Sequence, residues 1–169
     1  MVDHKIHITE KKVWDLLFEI PDPDIPVINI VELGLVRNIE ITDDEKVIVT
    51  ITPSYSGCPA MPVFKEDIYN KMSEAEIEDV EIKISLLPPW TTDWLSNATK
   101  EKMKQHGIAP PEQSSHHDIK LFTNSKNKIT CPHCNNNDTQ LTSQFGSTPC
   151  KALWYCKSCQ QPFEYFKCH

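Results

Sequence analysis

No stretch of this 169-residue sequence stays apolar over the ~20 residues a membrane helix needs, so no part of it is expected to span a bilayer. The opening segment, MVDHKIHITEKKVWDLLFEI, carries acids inside its apolar part and has no small-residue cleavage site, so it does not read as a secretory signal. A cytoplasmic protein is therefore expected. In that reducing compartment clustered cysteines bind metal more often than they form disulfides. A Walker loop, a Rossmann glycine pattern and a serine-centred elbow are all missing, which removes the usual fingerprints of nucleotide, dinucleotide and hydrolase chemistry. No internal repeat is visible. Basic charge is scarce in the first two-thirds: residues 1–115 hold 11 Lys+Arg against 21 Asp+Glu, net −10. Residues 116–169 hold 6 against 3, net +3. An acidic body repels phosphate and the basic tail is too weakly charged to compensate, so nucleic acid is not an expected partner.

What is present fits a folded protein. A hydrophobic fraction of 39% beside 24% charged residues is globular rather than disordered, and the length allows two small domains. Residues 9–20 space Val13, Leu16, Leu17 and Ile20 three and four apart behind a Thr9 N-cap, which predicts an amphipathic helix. PDPDIP stops it. VINIVELGLV is apolar and β-branched, and its pattern does not separate helix from strand. RNIEIT and KVIVTIT alternate around DDE and predict an antiparallel hairpin. Residues 60–73 predict a helix with Val63, Phe64, Ile68 and Met72 on one stripe. VEIKISL predicts a third strand, and TDWLSNATKEKMKQHG a last helix closed by Gly107. PPW, with Trp90 and Trp94, reads as core rather than interface, since tryptophan is mostly buried. These elements make an α+β domain, a three-stranded sheet with packed helices, over residues 1–108. IAPPEQSSHHDI has no periodicity, so residues 109–119 are read as a linker and 120–169 as a second domain.

Six of the seven cysteines fall in that second domain. Two Cys-x-x-Cys pairs, Cys131/Cys134 and Cys156/Cys159, have 21 residues between them, a spacing at which two knuckles can close a tetrahedral metal site. TQLTSQF, ALWYC and FEYFKC read as short strands, so the segment is expected to be a β zinc ribbon. A segment this small needs such a staple to fold. The turn after Cys134 must admit a left-handed residue, and NNN supplies asparagines for it. Four thiolates leave no open coordination position, which points to a structural ion; the same ligands also suit iron. Cys150 and Cys168 stay open between small buried residues, a shifted ligand set and a second partial site with His169. His133 reads as surface, and His116 and His117 as a solvated pair in the linker.

The seventh, Cys58, lies far upstream in SYSGCPAMP at the expected start of the second helix. The N–H groups and dipole of a helix start favour thiolate over thiol, and the neighbouring glycine and proline suit a sharp entry. That geometry presents a thiolate usable as a nucleophile or a soft-metal ligand, while an inert cysteine at a helix start is the other reading. No histidine lies nearby to build a protease-type dyad.

DPDIPVINIVELGLVRNIEI, VTITPSYSGCPAMPVFKEDI and LLPPWTTDWLS together resemble the iron–sulfur cluster assembly domain of SufT-type proteins. The ending FGSTPCKALWYCKSCQQPFEYFKCH is similar to one bacterial group with this domain, the phenylacetate-degradation PaaD proteins, encoded with the phenylacetyl-CoA epoxidase. The resemblance implies a non-catalytic accessory factor in aerobic phenylacetate degradation. It would assemble or deliver an iron–sulfur cluster to the epoxidase system, with the iron–sulfur flavoprotein reductase as client, Cys58 as transient ligand and the zinc ribbon for structure and docking. The family's motif cysteine falls on Cys58. Its acidic motif falls on Asp22 and Asp24, with Asp in place of Glu at Asp24. Its tail cysteines fall on Cys131, Cys134, Cys150, Cys156, Cys159 and Cys168. The implied cofactors are a structural zinc and a transient cluster, self-association is compatible with the sequence, and a structural subunit of the epoxidase without cluster chemistry is the alternative.

Overall fold

The computed structural model describes residues 8–111 and 129–167. These group into two compact units: one takes the residues up to Pro23 with Asn29–Trp90, the other takes Asp24–Ile28 with the residues from Thr91 onward.

The first unit opens with helix α1, Glu10–Phe18. Thr9 accepts the Lys12 amide at 3.2 Å, satisfying one of the amides orphaned at a helix start. The helix buries Val13 and Leu17, and Ile20 follows just past its end, while Leu16 stays half-buried. The segment VINIVELGLV, ambiguous in sequence, is mostly a run of turns and enters a strand only at its last residue, Val36. The Asn29 side-chain oxygen accepts the amides of Val31 and Glu32 at 3.1 and 2.8 Å, and Gly34 sits at φ 75. The apolar side chains Ile30, Leu33 and Leu35 are buried without regular backbone pairing.

Strands β1 (Val36–Ile41) and β2 (Val47–Ile51) form the expected antiparallel hairpin. Helix α2, Met61–Glu74, then crosses to β3, Val80–Ile84, which runs parallel to β2 with Val47 opposite Val80 and Ile51 opposite Ile84. The sheet order β1-β2-β3 explains why β2 is almost wholly apolar: it is the central strand. α2 buries Phe64, Ile68 and Met72, an i, i+4, i+8 line. Val63 lies off that line and is 42% exposed, so the fourth expected stripe residue is a surface one. Trp90 is core, as expected, with its indole N–H donating to the Leu33 carbonyl at 2.9 Å, whereas Trp94, read with it as core, is only half-buried. The exposed apolar side chains just before it are Leu86 and Leu87.

The second unit contains a 3₁₀ turn at Thr92–Trp94 and helix α3, Asn97–Gln105, capped by Ser96, whose hydroxyl accepts the Thr99 amide at 3.0 Å. Gly107 follows at φ 76, the left-handed conformation that ends helices. The chain then enters a four-stranded sheet of β4 (Ile108–Ala109), β5 (Thr139–Ser143), β6 (Lys151–Cys156) and β7 (Pro162–Phe166), ordered β4-β7-β6-β5. β6 pairs antiparallel with both β5 and β7, and β4 adds in parallel to β7. Thus α3 groups with the ribbon strands rather than with the first sheet, and the start of the segment read as linker is a strand; residues 112–119 lie outside the described ones. The ribbon's core is compact. Trp154 meets Tyr165 edge-on with centroids 6.4 Å apart, and Ala109, Ile129, Ala152 and Phe163 pack around them.

Candidate metal centre and the lone cysteine

The two Cys-x-x-Cys pairs occupy equivalent turns. In the first, the Cys131 amide donates to the Asn136 carbonyl at 3.0 Å; in the second, the Cys156 amide donates to the Gln161 carbonyl at 2.9 Å. Each turn needs one left-handed residue just after its second cysteine, and these are Asn135 and Gln160, both at φ 59. The expectation of a left-handed asparagine is met at Asn135. Its counterpart at Gln160 carries no sequence signal, because glutamine rarely adopts that conformation.

The turns bring four sulfurs together, all within 4.8 Å of one another. Cys131 and Cys159 approach to 3.7 Å, and Cys134 and Cys156 to 3.6 Å. A tetrahedral ion with metal–sulfur bonds of about 2.3 Å holds its sulfurs about 3.8 Å apart, so the set fits such an ion closely. Cys131 and Cys156 are buried, whereas Cys134 is exposed and Cys159 half-buried. Burial works against the Cys156 thiolate, yet the amides of Cys159 and Ser158 and the neighbouring thiols Cys134 and Cys159 bring it down to about 7. Burial, with the crowding thiols Cys156, Cys134 and Cys131, pushes Cys159 up to about 12. Burial raises Cys131 as well. Without a cation the cluster therefore resists holding several thiolates at once; a bound divalent ion removes that penalty.

Cys150 stands outside this set. It is buried, with the Thr148 hydroxyl 3.1 Å from its sulfur and the Asp24 carboxylate at 3.9 Å. The adjacent Lys151 is 5% exposed in its side chain, pairs with Glu164 at 2.8 Å and donates to the Asp24 carbonyl at 3.1 Å. Sequence spacing has no means of finding this charged cluster, because its members are 127 and 13 residues apart. Asp24 also lines a groove of about 450 Å³ together with His106, His133, Lys151 and Glu164. His133 is exposed, as expected, and its ring lies over Gly107, where a Cβ would come within 3.0 Å of it. Cys168, His169, His116 and His117 lie outside the described residues.

In the first unit, Tyr55–Cys58 forms a β-turn closed by the Cys58 amide on the Tyr55 carbonyl at 3.2 Å, with Gly57 at φ 91 in its third position. A Cβ on Gly57 would meet nothing within 4 Å, so the backbone angle and not space requires glycine there. The Met61 amide then reaches the Cys58 carbonyl at 3.4 Å and α2 begins, placing a half-buried thiol just ahead of a helix start. In the same unit Ile30, Leu35, Ile51, Met61, Phe64 and Ile68 close on each other with no room for water. Because β2 and β3 are parallel, the Cys58 turn and the Leu86–Leu87 segment leave the sheet from the same end, the end at which α/β sheets carry their sites. Asp22 is buried in this unit.

An α+β sheet with a cysteine turn, followed by a ribbon whose four cysteine sulfurs can hold a metal ion, defines the architecture. The family described as "Iron-sulfur cluster assembly protein" matches residues 10–84, and that described as "PaaD zinc beta ribbon domain" matches residues 116–167. The chain is 41% identical over 157 residues to a protein of Escherichia coli K12 whose name makes it a subunit of 1,2-phenylacetyl-CoA epoxidase; the match covers 93% of this chain and 92% of that one. It belongs to the PaaD family. Over 54% of its length it is 30% identical to YitW of Bacillus subtilis, named an Fe-S protein maturation auxiliary factor, 89% of which is covered. SufT of Staphylococcus aureus, of the same description, is 36% identical over 47% of this chain and 90% of its own. Among solved structures, a conserved hypothetical protein of Thermotoga maritima matches 57% of this chain and 94% of its own at 29% identity and a TM-score of 0.50. A domain of unknown function from Bacillus anthracis matches 54% and 87% at 27% identity, again with a TM-score of 0.50.

Proposed function

We propose that this protein is a non-catalytic, cytoplasmic accessory factor of aerobic phenylacetate degradation. It assembles or delivers an iron–sulfur cluster to the phenylacetyl-CoA epoxidase system, with the iron–sulfur reductase component as client. Cys58 is the transient ligand for iron or cluster, and Asp22 and Asp24 support that role. The chain works as two domains, the second stapled by a zinc ion on Cys131, Cys134, Cys156 and Cys159. The observation that carries the reading is the Cys58 turn: a half-buried thiol ahead of a helix start, in a domain whose relatives bear the name of Fe-S maturation factors. Helix-start amides favour the thiolate that a soft metal needs. A single cysteine cannot hold a cluster by itself, so the client must supply the other ligands.

The test is the iron content and visible spectrum of the reductase, co-expressed with this protein, without it, and with Cys58→Ser. Loss of the cluster in the last two cases is the expected result. The name of the Escherichia coli relative favours one other reading, a structural subunit of the epoxidase. A reductase fully loaded in all three cases would select that reading and leave Cys58 as packing.

A further inference from the structure

Among the described residues no strand pairs with the outer side of β3, which ends the sheet order β1-β2-β3. The two edges of that sheet are built differently. β1 is broken by a register shift between Val36 and Asn38, the kind of bulge that turns an edge away from further pairing. β3 keeps an unbroken register with β2 from Val80 to Ile84 and contains no proline. The Val47 amide donates to the Asp79 carbonyl and the Ser85 amide to the Ile51 carbonyl, both at 2.9 Å. Bonding direction alternates along a parallel strand, so the odd-numbered residues face β2, while Val80, Ile82 and Ile84 turn N–H and C=O outward.

The side chains of those three residues share a face with Val47, Val49 and Ile51, which are buried to within 2%. Yet Val80 and Ile82 are half-buried and Ile84 is 46% exposed, so an apolar row runs out to an uncovered edge. On the opposite face the Glu81 side chain is 41% exposed and that of Lys83 51%. Glu81 gives one carboxylate oxygen to Lys46 at 2.7 Å and holds the other 3.9 Å from the Lys83 ammonium.

The strand VEIKI complements itself when reversed. Laid antiparallel on a second copy about Ile82, it sets Glu81 opposite Lys83 and Lys83 opposite Glu81, in the non-hydrogen-bonded pairs where side chains lie closest. Val80 meets Ile84, Ile82 meets its own counterpart, and Asp79 falls opposite Ser85. Sliding the pairing to centre on Glu81 or on Lys83 brings like charges face to face, and any register between these sets outward groups against inward ones. Charge and backbone direction therefore select the same register.

We propose that β3 pairs antiparallel with β3 of a second copy about a two-fold axis at Ile82, joining the two sheets into one. This pairing uses every outward N–H and C=O of the edge and continues the apolar row from one copy to the next. Because the joined strands run antiparallel, the two Cys58 turns, each at the same end of its own sheet, come to opposite ends of the joined one. The copies cannot then share one cluster between their Cys58 thiols.

Sedimentation velocity of the full-length, metal-loaded protein over a range of concentration, with hydrogen exchange read amide by amide, tests it. An edge this short makes a small interface, so the dimer should form at about 10–100 μM. There the Ile82 and Ile84 amides should slow, while those of Glu81 and Lys83, already directed at β2, stay as they were. Lys83→Glu, and separately Glu81→Lys, puts like charges across the junction and should weaken the dimer about 10-fold or more. An equimolar mixture of these two variants should recover it, because each offers the other an opposite charge. Unchanged exchange in β1 and β2 shows that the variants remain folded. A chain that stays monomeric through that range with fast Ile82 and Ile84 amides overturns the proposal, as does a dimer that Lys83→Glu leaves intact. Slow edge amides in a monomer would mean that the same chain covers the edge. Amides slowed only on adding epoxidase components would mean that another protein does, and either result overturns the assignment to a second copy. The reading of Cys58 is decided separately, by the cluster content of the reductase.

Discussion

The two units of this chain reach stability by different routes. In the first, side chains from the turn segment, β2 and α2 (Ile30, Leu35, Ile51, Met61, Phe64 and Ile68) close on each other so tightly that no water fits between them. In the ribbon, two of the eight residues of the central cluster are the cysteines Cys131 and Cys156. A sheet of short strands has little apolar surface to offset its ordering entropy, so the small core around Trp154 and Tyr165 is supplemented by a bound ion. The largest effect should therefore come from removing it. Cys131→Ser, or a strong chelator, should unfold the ribbon, since apparent binding energies of about 10–16 kcal/mol are folding energy in such modules. Hydrogen exchange should show β5, β6 and β7 unprotected while β1, β2 and β3 remain slow. Retention of one full metal equivalent by Cys131→Ser would break the contrast.

The converse experiment acts on the first unit. Ile68→Ala removes a fully buried side chain from α2 and should cost about 2–5 kcal/mol of that unit's stability with no change in metal content. Loss of metal on this substitution would mean that the two units do not hold themselves up separately. A smaller effect is expected inside the ribbon from Glu164→Gln, which leaves buried Lys151 without its carboxylate at a cost of about 3 kcal/mol. Burial penalises the Glu164 carboxylate, but Lys151 and the Ser147 amide hold it below the ordinary carboxylate range. A depressed group stabilises the fold above its unfolded value, about 4.3, and loses that contribution as pH falls through its folded value. The difference between wild type and Glu164→Gln in denaturant titrations should be largest near neutral pH and close in acid below about pH 4.

What can be read in the sequence follows the range of the forces involved. α1, the hairpin and α2 are local patterns of period 3.6 and 2, and their ends are marked by Thr9, DDE and the Cys58 turn. The four-cysteine cluster is equally legible, because metal geometry restricts both spacing and residue type. The turn segment at Asn29–Leu35 is not, since its order comes from an asparagine side chain and from burial rather than from periodicity. Nor is β4, a two-residue strand that exists only because β7 offers an edge. The Asp24–Lys151–Glu164 arrangement joins positions far apart in sequence, and no residue type in it announces a partner.

The finest comparison lies within the ribbon, between its two knuckles. Both require a left-handed residue at φ 59, but one uses Asn135 and the other Gln160. Asparagine visits that region readily, whereas glutamine meets the ordinary side-chain penalty of about 1–2 kcal/mol. Glycine removes the penalty but returns about 0.5–1 kcal/mol through its freer unfolded chain. Gln160→Gly should therefore stabilise the metal-loaded ribbon by somewhat under about 1 kcal/mol, a rise of a few degrees in the midpoint for a unit this small. Asn135→Gly should change it by less. If the two substitutions act equally, the knuckles are matched in strain as well as in hydrogen bonding. If Gln160→Gly destabilises, the glutamine side chain contributes a contact that outweighs its backbone cost.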